Sequence, residues 1–143
     1  MLRRAIMIML AMSGLLIGTR ALALGPIIVF FERGSVRLTP QANAVLDSAV
    51  QIQGVACYIA MGHADREGPP ARNLILSRQR ALAVRDAFVA RGIPVERIRI
   101  EAYGESRPLV DTPDGVAEAQ NRRVEVSTAR PVDIAANPEH PPC

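Results

Sequence analysis

Lysine, tryptophan, aromatic residues and cysteine are all scarce or missing in this sequence. Its 143 residues include no Lys, no Trp, two His and two Cys, and aromatic residues make up 3%. All 17 basic residues are Arg, and three of them precede residue 21, which leaves 17 − 3 = 14 basic against 14 acidic residues in the rest. A nucleic-acid-binding domain carries a basic patch on its folded part, so this balance argues against a nucleic-acid partner. Because 49% of the residues are hydrophobic, a long disordered chain is also excluded.

The first 23 residues have the order of a secretory signal peptide. A basic start with Arg3 and Arg4 is followed by a largely apolar, uncharged run over residues 5–18, and Ala21-Leu22-Ala23 has the small-x-small form of a signal-peptidase site. The apolar run is shorter than the about 20 residues that a membrane-spanning helix needs. We therefore expect cleavage after residue 23 and export to the periplasm or cell envelope. An uncleaved membrane anchor is the alternative.

The segments after residue 24 predict a single α/β (α+β) domain over residues 24–130. Runs of apolar and β-branched residues predict strands over residues 27–31, 55–61, 98–102 and 122–127. Two main helices are predicted, one from Thr39-Pro40 to before Gly54 and one over about residues 71–91, with a short helix over residues 114–120. The order β-α-β-α-β-β implies crossover connections and a mixed sheet with the two main helices packed on it. Residues 131–143, with four Pro, are predicted to be a flexible tail.

In the second main helix, residues at steps of three and four positions share one face. They are Leu74, Ser77, Ala81, Val84 and Phe88. This face is predicted to pack on the sheet. Arg72, Arg78 and Arg85 lie away from it and are predicted to be solvated.

The two cysteines, Cys57 and Cys143, could form a disulfide in an oxidising compartment. Closing so long a loop would stabilise the fold by about 4–5 kcal/mol in the chain-entropy description. However, Cys57 lies in an apolar run and could equally be a small buried side chain, while Cys143 ends the predicted tail. The sequence leaves the pairing open.

Two opposite charges stand near the start of the second main helix. Asp65 lies in the polar loop that follows a predicted strand, and Arg80 lies fifteen residues later on the helix. If the loop returns over the helix start, the carboxylate could hold an ammonium group and the guanidinium could bind a carboxylate, which suits a zwitterion. Charge alone favours a simpler interpretation, in which Asp65 and Arg80 form an ordinary ion pair with each other.

Several motifs around these residues resemble the OmpA-like domain, the peptidoglycan-binding module also found in Pal and MotB proteins. The longest reads Gly62-His63-Ala64-Asp65, then Gly68, Asn73 and Leu76-Ser77-Arg78-Gln79-Arg80-Ala81, with every spacing of the family pattern. Three shorter matches follow in order: Gly92-Ile93-Pro94, Tyr103-Gly104-Glu105-Ser106-Arg107-Pro108 and Asn121-Arg122-Arg123-Val124-Glu125. They resemble the helix-ending turn, the Gly-x-Ser-x-Pro loop and the Asn-Arg-Arg-Val-Glu strand of the family. Because the motifs recur in order over about residues 28–127, the resemblance is specific.

The resemblance implies non-catalytic binding of peptidoglycan in the cell envelope, through the diaminopimelate of its stem peptide. Asp65 would take the ammonium group of the ligand and Arg80 its carboxylate. Supporting roles are implied for the residues around them: Gly62, His63, Ala64, Asn73, Ser77, Arg122 and Arg123. No cofactor and no metal are implied. An outer-membrane or other envelope protein is a candidate further partner.

Two positions depart from the family pattern: Ala64 replaces the usual Thr, and Arg33-Gly34 stand where an aromatic and a polar residue are usual. One alternative function is an envelope assembly domain with a degenerate ligand site. Another is a zinc enzyme built on His63 and Asp65. A catalytic zinc site needs three protein ligands, however, and the only other His, His140, lies in the predicted tail. Cys57 likewise lacks an activating partner for nucleophilic catalysis.

Overall fold

The computed structural model describes residues 26–136 and Cys143. The predicted signal peptide lies outside these residues, as do residues 137–142 of the predicted tail. The elements of the described part are the strands β1 (Ile27–Phe30), β2 (Cys57–Gly62), β3 (Ile98–Ala102) and β4 (Arg123–Ala129) and the helices α1 (Pro40–Ala49), α2 (Pro70–Ala90) and α3 (Pro131–Ala136). Short 3₁₀ turns cover Val95–Arg97 and Ala119–Asn121. No helix within this part combines the length and the apolar character needed to cross a bilayer.

The strands form one mixed sheet in the order β1-β4-β2-β3. β2 and β3 pair in parallel, and β4 is antiparallel to both of its neighbours, β1 and β2. Between β2 and β3 the chain crosses over through α2, as parallel pairing requires. The predicted mixed sheet with two main helices is therefore confirmed. Because β1 and β2 run in the same direction, the loops that follow them meet at one edge of the sheet.

Helix α1 begins where the sequence predicts. The Thr39 hydroxyl accepts a 3.1 Å hydrogen bond from the N–H of Ala42, and Pro40 occupies the first helical position. The cap satisfies one of the N–H groups that the first turn leaves without a helical partner. Ala42 and Leu46 are buried on the inner side of the helix and join the hydrophobic core against the sheet.

Helix α2 packs its apolar face on β2 and β3. Four residues of the predicted face are buried: Ser77, Ala81, Val84 and Phe88. The predicted burial of Leu74 is wrong, because this residue is 50% exposed. The last residue of β2, Gly62, lies beside Ser77. Leu74 is about one helical turn before Ser77 and therefore lies beyond the end of that strand. There the backbone of Gly104 lies against the backbone of Leu74 instead.

Gly62 sets the distance between β2 and α2. A Cβ atom added to Gly62 would lie 1.9 Å from the carbonyl oxygen of Ser77, so only glycine allows this approach. Gly62 does not lie in a turn, since it is the last residue of strand β2. Gly68, in contrast, has a φ of +87° and occupies a turn.

The segment after β4 is more ordered than the sequence predicts. Helix α3 covers Pro131–Ala136, where a loose tail was expected, and the Asp133 carboxylate accepts a hydrogen bond from the N–H of Arg130 at its start. Cys143 forms a disulfide with Cys57 of β2, with the two Cα atoms 5.6 Å apart. The short helix predicted over residues 114–120 is reduced to the 3₁₀ turn of Ala119–Asn121, since Gly115 has a φ of +79°, outside the helical range.

Candidate functional site

A cleft of about 220 Å³ opens at the sheet edge where β1 and β2 end. Its walls are the loop after β1, the loop after β2 and the first two turns of α2. The lining residues are Arg33, Gly34, Asp65, Glu67, Gly68, Arg72, Asn73 and Leu76. Two cationic and two anionic side chains therefore face one small volume, which is the composition that suits a ligand with both charges.

Asp65 is the most buried charged side chain of the cleft. The residue is 4% exposed. Its Oδ2 accepts hydrogen bonds from the backbone N–H of Glu118 (3.1 Å) and from Nη1 of Arg122 (3.2 Å). Its Oδ1 has no hydrogen-bond partner among the described residues. A carboxylate oxygen with lone pairs to spare is thus available to a donor such as an ammonium group.

Arg80 is fully buried and binds backbone carbonyls. Its Nε donates to Ser35 (3.0 Å), Nη1 to His63 (3.1 Å) and Nη2 to Glu32 (3.3 Å). Its guanidinium also lies 5.4 Å from the ring centre of Phe31, within the range of a cation–π contact. Burial lowers the pKa of Arg80 to about 10, and the nearby Asp65 carboxylate opposes this shift. Arg80 thus stays charged at neutral pH and fastens the loop after β1 to the loop after β2.

Asp65 and Arg80 lie close enough to interact electrostatically, but they are not each other's ion-pair partner. Within the described residues, Asp65 pairs with Arg122, while Arg80 donates to carbonyls. Arg80 is not among the residues that line the cleft. The simple ion pair between Asp65 and Arg80 is therefore not the contact that the structure shows.

Arg33 and Glu67 form an ion pair across the cleft. Nε of Arg33 donates to Oε2 of Glu67 (2.7 Å), and Nη2 of Arg33 contacts Oε1, so both arms of the fork are engaged. The hydrogen bond lowers the pKa of Glu67 and raises that of Arg33. Arg33 stands at the position where the sequence departs from the family pattern, on the loop held by Arg80.

Asn73 and Ser77 order the site from within. The Asn73 amide donates to the carbonyl of Gly68 (3.4 Å) and to Oε2 of Glu105 (2.6 Å), so it links α2 to the loops after β2 and β3. Ser77 accepts a hydrogen bond from the N–H of Gly104 (2.9 Å), so α2 is tied to the loop after β3.

Several backbone groups of residues 62–64 form hydrogen bonds within the fold. Gly62 accepts from Tyr103, His63 donates to the carbonyl of Arg123, and Ala64 donates to that of Gly104. Because these three groups are engaged with neighbouring segments, they are not free to bind a ligand. Ala64 is itself buried.

His63 lies behind the site, on the sheet face opposite the main helices. Its buried ring stacks on Tyr103 with centres 5.5 Å apart, and its Nε2 is 3.9 Å from the Glu125 carboxylate. Burial, aided by the positive charge of Arg123, lowers the pKa of His63 to about 4. Among the described residues, no three His, Cys, Asp or Glu side chains group closely enough to hold a metal ion.

Arg122 and Arg123 point to different places. Arg122 supports Asp65 and also donates to the carbonyl of Phe31 (3.1 Å). Arg123 pairs with Glu125 (2.6 Å) beside His63. Of the two, Arg122 is the one that reaches the candidate site.

Sequence reasoning missed part of the cleft, namely Glu67, Arg72 and Leu76, and assigned Arg33 no role. Arg33 carried the one usable signal, a basic residue where an aromatic is usual. Glu67 and Arg72 occupy spacer positions of the longest motif, where residue identity predicts nothing.

Comparison with known proteins bears on this arrangement. Residues 30–122 match the OmpA family. The peptidoglycan-associated lipoprotein of Rhizobium meliloti (strain 1021) is 38% identical over 100 residues, which cover 66% of this chain and 56% of that protein. Outer membrane protein A of Yersinia pseudotuberculosis serotype I (strain IP32953) is 31% identical over 125 residues, which cover 78% of this chain and 35% of that protein. The chain thus spans about half of the first relative and about a third of the second.

A solved structure supports the same assignment. The crystal structure of the peptidoglycan-associated lipoprotein from Burkholderia pseudomallei has a TM-score of 0.65 to this fold at 27% sequence identity. The superposition covers 71% of this chain and 89% of that one. The family match covers more than half of the sequence and includes β2, the Asp65 loop, α2 and β3. The chain therefore belongs to the OmpA family.

Proposed function

We propose that this chain is an exported envelope protein that binds peptidoglycan non-covalently, through the diaminopimelate of the stem peptide, and catalyses no reaction. The observation that carries the proposal is the Asp65 carboxylate, which lines the cleft, is held by Arg122 and leaves Oδ1 without a partner among the described residues. Membership of the OmpA family and the similarity to peptidoglycan-associated lipoproteins support it.

The free end of diaminopimelate carries an ammonium and a carboxylate on one carbon. Asp65 takes the ammonium through Oδ1, because a charged donor and a carboxylate form a short, strong hydrogen bond in a partly desolvated site. Arg122 and the Glu118 N–H hold Oδ2, so the carboxylate needs little reorganisation when the ligand arrives.

Arg80 is the proposed anchor of the ligand carboxylate. Each of its two Nη atoms makes one hydrogen bond to a carbonyl, so each has a second N–H to offer. Because Arg80 has no exposed surface, direct contact requires a segment that covers it to shift as the ligand enters. Until then, its positive charge favours an anion at this end of the cleft.

Co-sedimentation with purified diaminopimelate-type peptidoglycan tests the proposal. We expect the wild-type protein to pellet and Asp65→Asn to bind at least about tenfold more weakly, since a hydrogen bond to a charged group is worth about 1.5–3 kcal/mol. Asp86→Asn makes the same change on an exposed part of α2 and is expected to pellet like the wild type. Peptidoglycan with lysine in place of diaminopimelate tests the ligand specificity.

Two results would contradict the proposal. If folded wild-type protein stays in the supernatant, the module has no peptidoglycan ligand and the alternative of an assembly domain takes its place. If lysine-type and diaminopimelate-type peptidoglycan bind equally well, the second carboxyl group of diaminopimelate is not what the cleft recognises.

A further inference from the structure

We propose that Arg33 binds a second carboxylate of the stem peptide, one that is not on the ammonium-bearing carbon. This ligand carboxylate would replace that of Glu67 on the Arg33 guanidinium. This inference rests on the proposed function and adds a specificity-determining residue to it. The observation behind it is the two-armed ion pair between Arg33 and Glu67, which lies across the cleft that Asp65 also lines.

The position of Arg33 suits a ligand contact at the rim. Its side chain is 69% exposed, whereas that of Glu67 is 32% exposed, so the guanidinium is the more accessible partner. The two residues belong to the two different loops that form the walls of the cleft. A ligand seated on Asp65 must therefore pass beside this pair or displace it.

The loop that carries Arg33 does not depend on the ion pair for its position. Arg80 holds the carbonyls of Glu32 and Ser35 on either side of the tip, and the N–H of Ser35 donates to the carbonyl of Glu32 (3.0 Å). Ion pairs between exposed side chains contribute little to stability. Replacing one carboxylate by another on the same guanidinium therefore costs the fold little.

The guanidinium fork fits a planar carboxylate and does not fit a carboxamide in the same way, because only the carboxylate accepts two parallel, charge-assisted hydrogen bonds. Besides the ammonium-bearing carbon, a stem tripeptide carries two carboxylates, on the γ-linked D-glutamate and at the other end of diaminopimelate. Both can be amidated. Arg33 would therefore bind stem peptides with free carboxylates more tightly than amidated ones. A neutral amide cannot displace the Glu67 carboxylate from the guanidinium.

Calorimetric titration of the exported protein tests this with two N-acetylated synthetic tripeptides of L-alanine, γ-D-glutamate and meso-diaminopimelate. One has both remaining carboxylates free, and the other has both amidated. We expect the wild type to bind the free form about two- to fivefold more tightly, the range for an exposed charge pair. Arg33→Gln should lose this preference, and Glu67→Gln should increase it, because it removes the competitor.

Opposite effects of the two substitutions on the binding preference are the decisive result. If the Arg33–Glu67 ion pair served only to hold the two loops together, removing either partner would have the same effect. Arg37→Gln and Glu96→Gln make the same charge changes at exposed residues outside the cleft lining and should keep the wild-type preference. Wild-type binding without preference, or equal weakening by Arg33→Gln and Glu67→Gln, overturns the inference alone. Failure of the wild type to bind either tripeptide overturns the proposed function and the inference with it.

Discussion

Nη1 of Arg80 donates a 3.1 Å hydrogen bond to the carbonyl oxygen of His63, across the gap between α2 and the end of β2. The same guanidinium holds the carbonyls of Glu32 and Ser35. One buried cation therefore joins three segments that are distant in sequence. The residue expected to bind the ligand is also a main support of the cleft walls.

Substitution of Arg80 by Met should lower the free energy of unfolding by about 3–5 kcal/mol, because it leaves the buried carbonyl of His63 and the partly buried carbonyls of Glu32 and Ser35 without their donor. Arg80→Lys keeps the charge but cannot reach three carbonyls in a plane, so an intermediate loss is expected. Urea unfolding at neutral pH measures both. Arg78→Met, two residues away on the exposed side of the same helix, should change stability by less than about 0.5 kcal/mol. An unchanged midpoint for Arg80→Met would contradict the structural role.

Gly62→Ala should destabilise the protein by about 3 kcal/mol or more, because its Cβ would overlap the carbonyl oxygen of Ser77 and push α2 away from β2. Gly115→Ala is the contrasting variant: its surroundings are open, but its φ is +79°. There only backbone strain applies, which is worth about 1–2 kcal/mol. Thermal unfolding of both variants tests whether Gly62→Ala loses more stability than Gly115→Ala. A smaller loss for Gly62→Ala than for Gly115→Ala would show that helix and strand can separate without cost.

The sequence was sufficient for the parts of this structure that rest on local patterns. The apolar runs, the Thr39-Pro40 cap and the spacing of Ser77, Ala81 and Val84 predict strands, a helix start and a buried face, and each is found. Such features depend on residues a few positions apart, so a single sequence contains them.

The features that could not be predicted depend on contacts between distant segments. Arg33 and Glu67 are separated by 34 positions, and nothing in that spacing predicts that they form an ion pair. Gly62 lies at a strand end, where a turn is the simpler interpretation until the close approach of Ser77 is known. Charge alone favours Arg80 as the ion-pair partner of Asp65, whereas the structure pairs Asp65 with Arg122, which lies just before β4 and 57 positions away.

The disulfide between Cys57 and Cys143 closes a loop with a sequence separation of 86. In the chain-entropy description, such a link stabilises the folded state by about 4–5 kcal/mol relative to the reduced protein. Reductant should therefore lower the melting temperature of the wild type, whereas Cys143→Ser should melt at the same lower temperature with and without reductant. Equal melting of oxidised and reduced wild-type protein would show that the link adds no stability. Ser127→Ala is a control substitution of similar size in β4, the strand beside β2, and its melting temperature should still fall when reductant is added.

Acid should destabilise this protein through His63, whose pKa is lowered from 6.5 to about 4 by burial and by the charge of Arg123. Between these two values the unfolded chain binds a proton that the folded protein does not, so the free energy of unfolding falls as the pH decreases, by up to about 1.4 kcal/mol per pH unit. Above pH 6.5 the contribution is complete. Urea unfolding at pH 7, 5.5 and 4.5 should show a steeper loss for the wild type than for His63→Gln, in which this group does not titrate. Carboxylates such as Glu125, which faces the ring, are common to both proteins and cancel in the comparison. Parallel pH profiles would mean that His63 is protonated in the folded protein as readily as in the unfolded chain.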